Sequence, residues 1–301
     1  MIDIIITSYK EPKATLRAVN TFLNQNIKKP FRIIVVDPFP EVRDFLKQNI
    51  TDKRVGFFLD PGEGKAYALN LLFEKLYSKN KEDIIILTDG DVYVSDNTVK
   101  EILRAFQDFE IGCITGKPVS VDIRNTKYGY WSKLVFAGID KVRKKLSSKK
   151  KFFQTSGYLL AIRNSIIKEI PIDVPEDCII PYFIWKAGYN IQYLPKAEVY
   201  LKYPDNWKDW VNQRIRIIKA HENLSKFYPD MPRTKSLLNE IKEGALFSLT
   251  FPRNLKEVYW TFQLYFARLY IYFRAFKELR KKQVFSDGWR ETEIESTKPL
   301  D

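Results

Sequence analysis

Four short segments of this sequence combine residue types that can do chemistry. The apolar run Ile84-Ile85-Ile86-Leu87-Thr88 leads into Asp89-Gly90-Asp91. Two carboxylates at i and i+2, just past a buried strand, can point into one site. They would offer hard oxygen ligands to Mg²⁺ and leave room for substrate phosphates. An Asp-Gly pair also marks ordinary turns, so the segment alone does not decide. A calcium EF-hand loop is excluded, because Tyr93 stands at its third ligand position and the required Gly is absent.

Pro61-Gly62-Glu63-Gly64-Lys65-Ala66 looks like a phosphate loop but fails its pattern, since Leu59 and Ala66 occupy required Gly and Ser/Thr positions. What remains is a Gly-rich turn before a helix start, with a Lys, which suits an anion or a flexible solvated loop. Glu176-Asp177 places adjacent acids before an apolar helix. Acids are common at helix starts, yet a carboxylate beside a cleft can also take a proton from an attacking hydroxyl. Cys178 next door reads as core, and the sole histidine, His221, lies far along the chain, so a Cys–His nucleophile pair has little support. Gln213-Arg214-Ile215-Arg216-Ile217 has helical spacing, with Gln213, Arg216 and Ile217 on one face. An Arg there can make two hydrogen bonds to a diphosphate, or simply be solvated.

The elements that must position these residues alternate. Short β-rich runs at 2–7, 32–37, 55–59 and 84–88 are separated by helical spacing at 13–25, 41–48 and 65–77. That alternation predicts an α/β fold, a mostly parallel sheet with helices on both faces. Such sheets bind ligands beyond the carboxyl ends of their strands. There lie Thr7-Ser8-Tyr9-Lys10-Glu11, Asp37 and Asp89-Gly90-Asp91, which should share a cleft. No GxGxxG follows the first strand, which argues against a dinucleotide site. The middle is less regular. It holds a dense basic run at 140–151, strands at 158–162 and 191–194, a short helix at 179–187 ended by Gly188, and helical spacing at 207–220. Beyond residue 221 the character changes to an aromatic-rich helix at 255–276, a basic cluster at 277–282 and a polar tail from Ser286.

Composition narrows the classes. Hydrophobic residues at 45% and charged residues at 29% of 301 positions describe a globular chain. A net charge of +13 predicts attraction to nucleotide phosphates, nucleic acid or an anionic membrane. No nucleic-acid motif is present, so nucleic acid is not the expected partner. Two cysteines make no disulfide framework and indicate a reduced, cytoplasmic compartment. The first residues read as a strand and not a signal peptide.

In this order and spacing the segments resemble family 2 glycosyltransferases of the GT-A fold, over about residues 1–220. Thr7-Ser8-Tyr9-Lys10-Glu11 is similar to the family's Tyr-Asn-Glu turn with Lys10 in place of Asn. Val35-Val36-Asp37 is similar to its second strand, although Pro38-Phe39-Pro40 departs from the usual continuation. Gly64-Lys65-Ala66-Tyr67-Ala68-Leu69-Asn70 and Asp89-Gly90-Asp91 match its Gly-Lys-Ala and DxD segments. Ser156-Gly157 and Ala161-Ile162-Arg163 match the acceptor-side strand. Glu176-Asp177, Ala187-Gly188-Tyr189 and Pro195-Lys196-Ala197 match the Glu-Asp motif and its followers. Gln213-x-x-Arg216 matches QxxRW except that Ile217 replaces Trp, which weakens any reading as a processive polymerase.

The resemblance implies inverting transfer from a nucleotide-sugar, UDP-linked by family habit, to a glycan or lipid-linked acceptor. Thr7, Tyr9, Glu11 and Asp37 would hold the nucleoside, with Lys65 and Asp89 beside them. Asp91, with Asp89, would bind Mg²⁺ or Mn²⁺. Gly157, Glu176, Gln213, Arg214 and Arg216 would line the acceptor and diphosphate side, and Asp177 would be the base. The expected divisions are a nucleotide-sugar half at 1–115, an acceptor half at 116–220, a helical region at 221–285 and a tail at 286–301. Two readings of the aromatic helix stay open: a helix lying on the cytoplasmic face of an anionic membrane, or one packed on the catalytic domain or a second copy. A sugar-phosphate nucleotidyltransferase lacks its Gly-rich N-terminal loop here. A non-catalytic polyanion or membrane binder leaves the acids at strand ends unexplained.

Overall fold

The computed structural model describes residues 1–172, 174–233, 244 and 246–280. The first half builds β1 (Ile2–Thr7), α1 (Pro12–Leu23), β2 (Phe31–Asp37), α2 (Pro40–Asn49), β3 (Val55–Leu59), α3 (Lys65–Leu76) and β4 (Ile84–Asp89). Pro12 and Pro40 open α1 and α2 at positions where a helix has no use for the missing N–H. Then follow β5 (Tyr93–Val94), α4 (Thr98–Ala105), β6 (Ile111–Ser120), α5 (Lys127–Ser148), β7 (Leu160–Arg163), α6 (Glu176–Lys186), β8 (Asn190–Leu201), α7 (Trp207–Phe227) and α8 (Leu255–Arg280).

Eight strands form one sheet in the order β3-β2-β1-β4-β7-β6-β8-β5. β1, β2, β3 and β4 are parallel neighbours, while β7 enters antiparallel between β4 and β6. The sheet is therefore mixed, with its regular parallel part in the first half. Alternate residues of the same strand feed two cores. Ile2, Ile4 and Ile6 pack under α1, α2, α4, α5, α7 and α8. Ile5 faces the other way, under α3 and α6. Helices cover both faces, as the alternation of strand and helix requires.

The middle of the chain is more regular than its sequence predicts. A ten-residue strand, β6, and a 22-residue helix, α5, occupy it. The basic run at 140–151 is largely the last part of α5. The expected division near 115 falls inside β6, and the one near 220 inside α7. β8 continues past Leu194 because Pro195, Lys196 and Ala197 form a bulge, where the register jumps from Gly116↔Leu194 to Lys117↔Glu198. α8 packs one face on α5 and α7. Trp131 Nε1 donates to the Trp260 carbonyl at 2.8 Å, Tyr130 Oη bonds Thr261 Oγ1 at 2.6 Å, and Arg124 grips both oxygens of Glu257 at 2.8 Å. Residues 281–285, including Lys281 and Lys282, and the tail at 286–301 lie outside the described residues.

Arg163 ends β7 as a side chain only 1% exposed. Its guanidinium donates to the carbonyls of Ile111, Lys81, Phe106 and Asp108 at 2.7–2.8 Å. One cation thus ties the α3–β4 and α4–β6 connections to the end of β7. Replacing it by Met leaves those buried carbonyls without donors, and each such loss costs about 1–3 kcal/mol. We expect Arg163→Met to lose about 3 kcal/mol or more of stability in urea unfolding. A loss below about 1 kcal/mol would remove Arg163 from this role.

Candidate active site

Parallel pairing of β1 with β4 sets Thr7 directly beside Asp89. Thr7 Oγ1 donates to Asp89 Oδ1 at 3.3 Å, and the Gly90 N–H reaches back to the Thr7 carbonyl at 2.7 Å. β2 ends alongside, so Asp37 joins the same edge. Its carboxylate is fully buried and accepts the N–H groups of Lys10 at 3.0 Å and Phe39 at 2.8 Å. Lys10 takes φ +59° to make its bond, a left-handed conformation that Asn adopts more readily than Lys. Tyr9 is 40% exposed and meets the Phe39 ring edge-on at 5.0 Å. The Glu11 carbonyl accepts from Thr15 Oγ1 at 2.7 Å, and that hydroxyl also meets Ser8 Oγ at 2.6 Å.

This last contact explains the residue between the two aspartates. A Cβ on Gly90 would stand 2.9 Å from Ser8 Cβ and 3.0 Å from Thr15 Oγ1. The turn carrying Asp89 and Asp91 is thus pressed onto β1 and α1.

β7 brings the second half to the same edge. A strand antiparallel to β4 presents its approach where β4 presents its end, and Thr88 Oγ1 donates to the Tyr158 carbonyl at 2.7 Å. Ser156 and Gly157 therefore arrive beside Asp89. Lys65, first residue of α3 after Gly64 at φ +106°, crosses from the other side. Its ammonium lies 2.6 Å from Asp89 Oδ1 and 2.6 Å from Glu176 Oε1, with all three side chains only 15–16% exposed. A Cβ on Gly157 would sit 3.3 Å from Glu176 Oε1, 3.4 Å from Lys65 Nζ and 3.5 Å from Asp89 Oδ2. The approach to Glu176 is tighter than an ordinary Cβ contact, so a side chain here would press on this ion cluster.

Glu176 and Asp177 begin α6, where the helix dipole favours acids. Thr155 Oγ1 donates to the Asp177 carbonyl at 2.6 Å, and the Cys178 thiol points to Asp177 Oδ1 at 3.4 Å. The fold also brings Cys178 Sγ to 4.0 Å from His221 Nδ1, despite their separation in the chain. The thiol is 1% exposed and so is closed to a substrate. On α7, Arg214 bonds the Tyr203 hydroxyl, donates to Gln213 Oε1 at 3.4 Å and lies over the Tyr203 ring at 4.8 Å. Arg216 follows two residues on along the same helix.

Sequence reasoning passed over Arg143, Thr155, Tyr158 and Tyr203. Arg143 belongs to the basic run, but it is 5% exposed and donates to Ser156 Oγ at 3.3 Å and the Gln154 carbonyl at 3.1 Å. It thereby holds the segment that presents Gly157. Its signal was its place four residues after Ile139 and three before Leu146, an inward face once 127–148 is read as a helix.

The charges act on one another. Burial pulls the Lys65 ammonium down, but Asp89 and Glu176 outweigh it and raise it above its ordinary value. Burial raises the Glu176 carboxyl above its usual 4.5; Lys65 opposes this, while Asp177 and Asp89 add to it. The upward direction follows because one ammonium serves two carboxylates with a third beside them. Burial also lifts the Tyr158 phenol, with Arg214 lowering it and Asp89 and Asp91 lifting it further.

No group of three or more His, Cys, Asp or Glu residues converges as a metal cage among the described residues. The donor set is two carboxylates on one turn, with Asp89 Oδ1 already serving Lys65. That fits an Mg²⁺ or Mn²⁺ site completed by substrate phosphates, which needs only one or two protein carboxylates.

The model of the family described as "Glycosyltransferase like family 2" matches residues 2–220. The chain belongs to this glycosyltransferase family. YdaM of Bacillus subtilis (strain 168), a probable glycosyltransferase, is 25% identical over 201 residues, which cover 62% of this chain and 44% of YdaM. An N-acetylglucosaminyltransferase of Rhizobium meliloti (strain 1021) is 22% identical over 242 residues, covering 71% and 54%. The chain spans about half the length of these curated relatives. The crystal structure of GalNAc-T7 with UDP, GalNAc and Mn²⁺ is similar at a TM-score of 0.51 and 18% identity, covering 81% of this chain and 54% of that one. At that identity the likeness speaks for the fold alone, and the fold is the GT-A fold that the sequence motifs imply.

The raised Glu176 carboxyl has a stability consequence. A native state that keeps its proton longer than the unfolded chain loses stability as pH rises from about 4.5 through the raised value. The fall in unfolding free energy over that window should be smaller in Glu176→Gln. Parallel pH–stability curves for the two proteins would show that Glu176 titrates normally.

Proposed function

We propose that this family 2 glycosyltransferase chain moves a sugar from a UDP-linked donor to a hydroxyl of a glycan or lipid-linked acceptor, inverting the anomeric carbon. The observation that carries this reading is the meeting of Thr7, Lys65, Asp89, Gly157 and Glu176 at one strand edge. Tyr9, Glu11 and Asp37 rim it, and Asp177 adjoins it. The donor class takes support from the UDP and GalNAc of the solved fold relative and from the named N-acetylglucosaminyltransferase. The reduced, cytoplasmic compartment expected from the cysteine usage of the sequence belongs to the same proposal.

In this reading Thr7, Tyr9, Glu11 and Asp37 receive the nucleoside at the ends of β1 and β2. Lys65 and Asp89 sit beside the sugar. Mg²⁺ or Mn²⁺ held by Asp91, with Asp89, would offset charge on the diphosphate when bound. Arg214 and Arg216, on α7 in the acceptor half, supply further positive charge to the departing diphosphate, as guanidinium forks do, with Gln213 alongside. Asp177 takes the proton of the acceptor hydroxyl. The freed oxygen attacks the anomeric carbon from the face opposite the diphosphate, and the bond to the diphosphate breaks with its electron pair. A general base contributes about 10²–10⁴-fold.

Asp177→Asn should lower transfer by about 10²–10⁴-fold while UDP still raises the melting temperature. Full turnover in this variant would exclude Asp177 as the base. Asp91→Asn should remove the extra thermal shift that Mn²⁺ adds to UDP; an unchanged Mn²⁺ increment would place the metal elsewhere.

A further inference from the structure

α8 has two apolar faces, and the fold uses one. Trp260, Leu264, Ala267, Ile271 and Ala275 pack against the body. The opposite face exposes Tyr259, Phe262, Phe266, Leu269, Phe273 and Phe276, each 45–72% accessible. Their spacing of three and four residues sets them in one stripe along the helix. The helical residues 246–250 that precede α8 add Leu246 and Leu249, both exposed. A patch of this length on a charged, globular chain marks a contact surface.

Charge around the stripe is one-sided. The two acids of α8 are both engaged by bases: Glu257 with Arg124, and Glu278 with Lys219 at 3.4 Å and Arg274 at 3.2 Å. Lys256, Arg268, Lys277 and Arg280 are the other charged residues of the helix. The basic part of α5 lies close by, with the Lys141 ammonium 5.2 Å over the Phe247 ring. No helix among the described residues is long and apolar enough to cross a membrane.

Two occupants suit such a stripe, and the residue types separate them. A second copy pairing through a three-four seam favours Leu, Ile or Val in the seam and opposite charges beside it. Here aromatics fill five of the six positions, and within 258–273 the sole charge is Arg268. Aromatic rings with basic flanks suit the headgroup boundary of a bilayer. We propose that the exposed face of α8 lies in the surface of an anionic lipid bilayer, with the helix parallel to the membrane plane.

This inference is separate from the catalytic reading, because binding is measured without donor or acceptor. The full chain is sedimented with phosphatidylcholine vesicles containing or lacking phosphatidylglycerol, at low and high salt. Binding should require the anionic lipid and weaken with salt. Phe262→Asp/Phe266→Asp/Phe273→Asp, altered only at exposed positions, should bind at least tenfold more weakly while keeping the melting temperature. Lys277→Glu/Arg280→Glu should weaken binding to anionic vesicles specifically. A wild-type chain that stays in the supernatant overturns the proposal. So does a dimer by sedimentation velocity that the triple variant converts to monomer, without vesicle binding.

Discussion

The arrangement hangs on one ammonium shared between two carboxylates. At 2.6 Å, each contact of Lys65 with Asp89 and Glu176 is worth about 6 kcal/mol gross at an effective dielectric near 20. Removing each ion from water costs several kcal/mol in return. The cluster therefore adds little net stability, and its value is positional. It ties the start of α3, the end of β4 and the start of α6 to a common point. Without the cation, Asp89, Glu176 and Asp177 would be three acids in a half-buried space, and their repulsion would open the edge where the two halves meet.

That edge exists because of strand direction. In a purely parallel sheet, the segment before a strand lies at the far edge from the segment after its neighbour. β7 runs against β4, so residues 155–158 reach the end where Thr7, Asp37 and Asp89 already lie. Arg143 and Thr155 then fix this approach from beneath, one through Ser156 and Gln154 and the other through Asp177. The side proposed to take the donor is thus built from strand ends, whereas the side proposed to take the acceptor is built from a strand approach and a helix start.

The same asymmetry decides what could be read from sequence. β1 to β4 are continuous apolar runs separated by helical spacing, and local pattern agreed with the final fold. β6 was hidden because Gly112, Gly116 and Pro118 weaken any strand signal. The structure gives a packing reason for Gly112, since a Cβ there would stand 2.6 Å from both Ile184 Cγ2 and Tyr189 Cβ. α5 was hidden by Gly129 and Gly138 and by the eye-catching lysines that follow. Arg143 was lost among them, although its helix turns it inward. Candidate residues that recur as short motifs were legible. Those that act by holding motif residues, such as Thr155 and Tyr203, have no signal until long-range pairing is known.

Packing on the catalytic domain uses one face of the aromatic helix and leaves the other to a bilayer or a second copy. Its inner face is fixed to α5 through Trp131 and Tyr130 and to α7 through the Lys219–Glu278 pair and the Trp207–Tyr270 contact. α7 also carries Gln213, Arg214 and Arg216. A surface that holds α8 by its outer face would therefore hold α7 at a set height, and with it Arg214 and Arg216. Packing on the body does not compete with a bilayer for this helix; it fixes how far the strand edge stands from whatever the aromatic stripe covers.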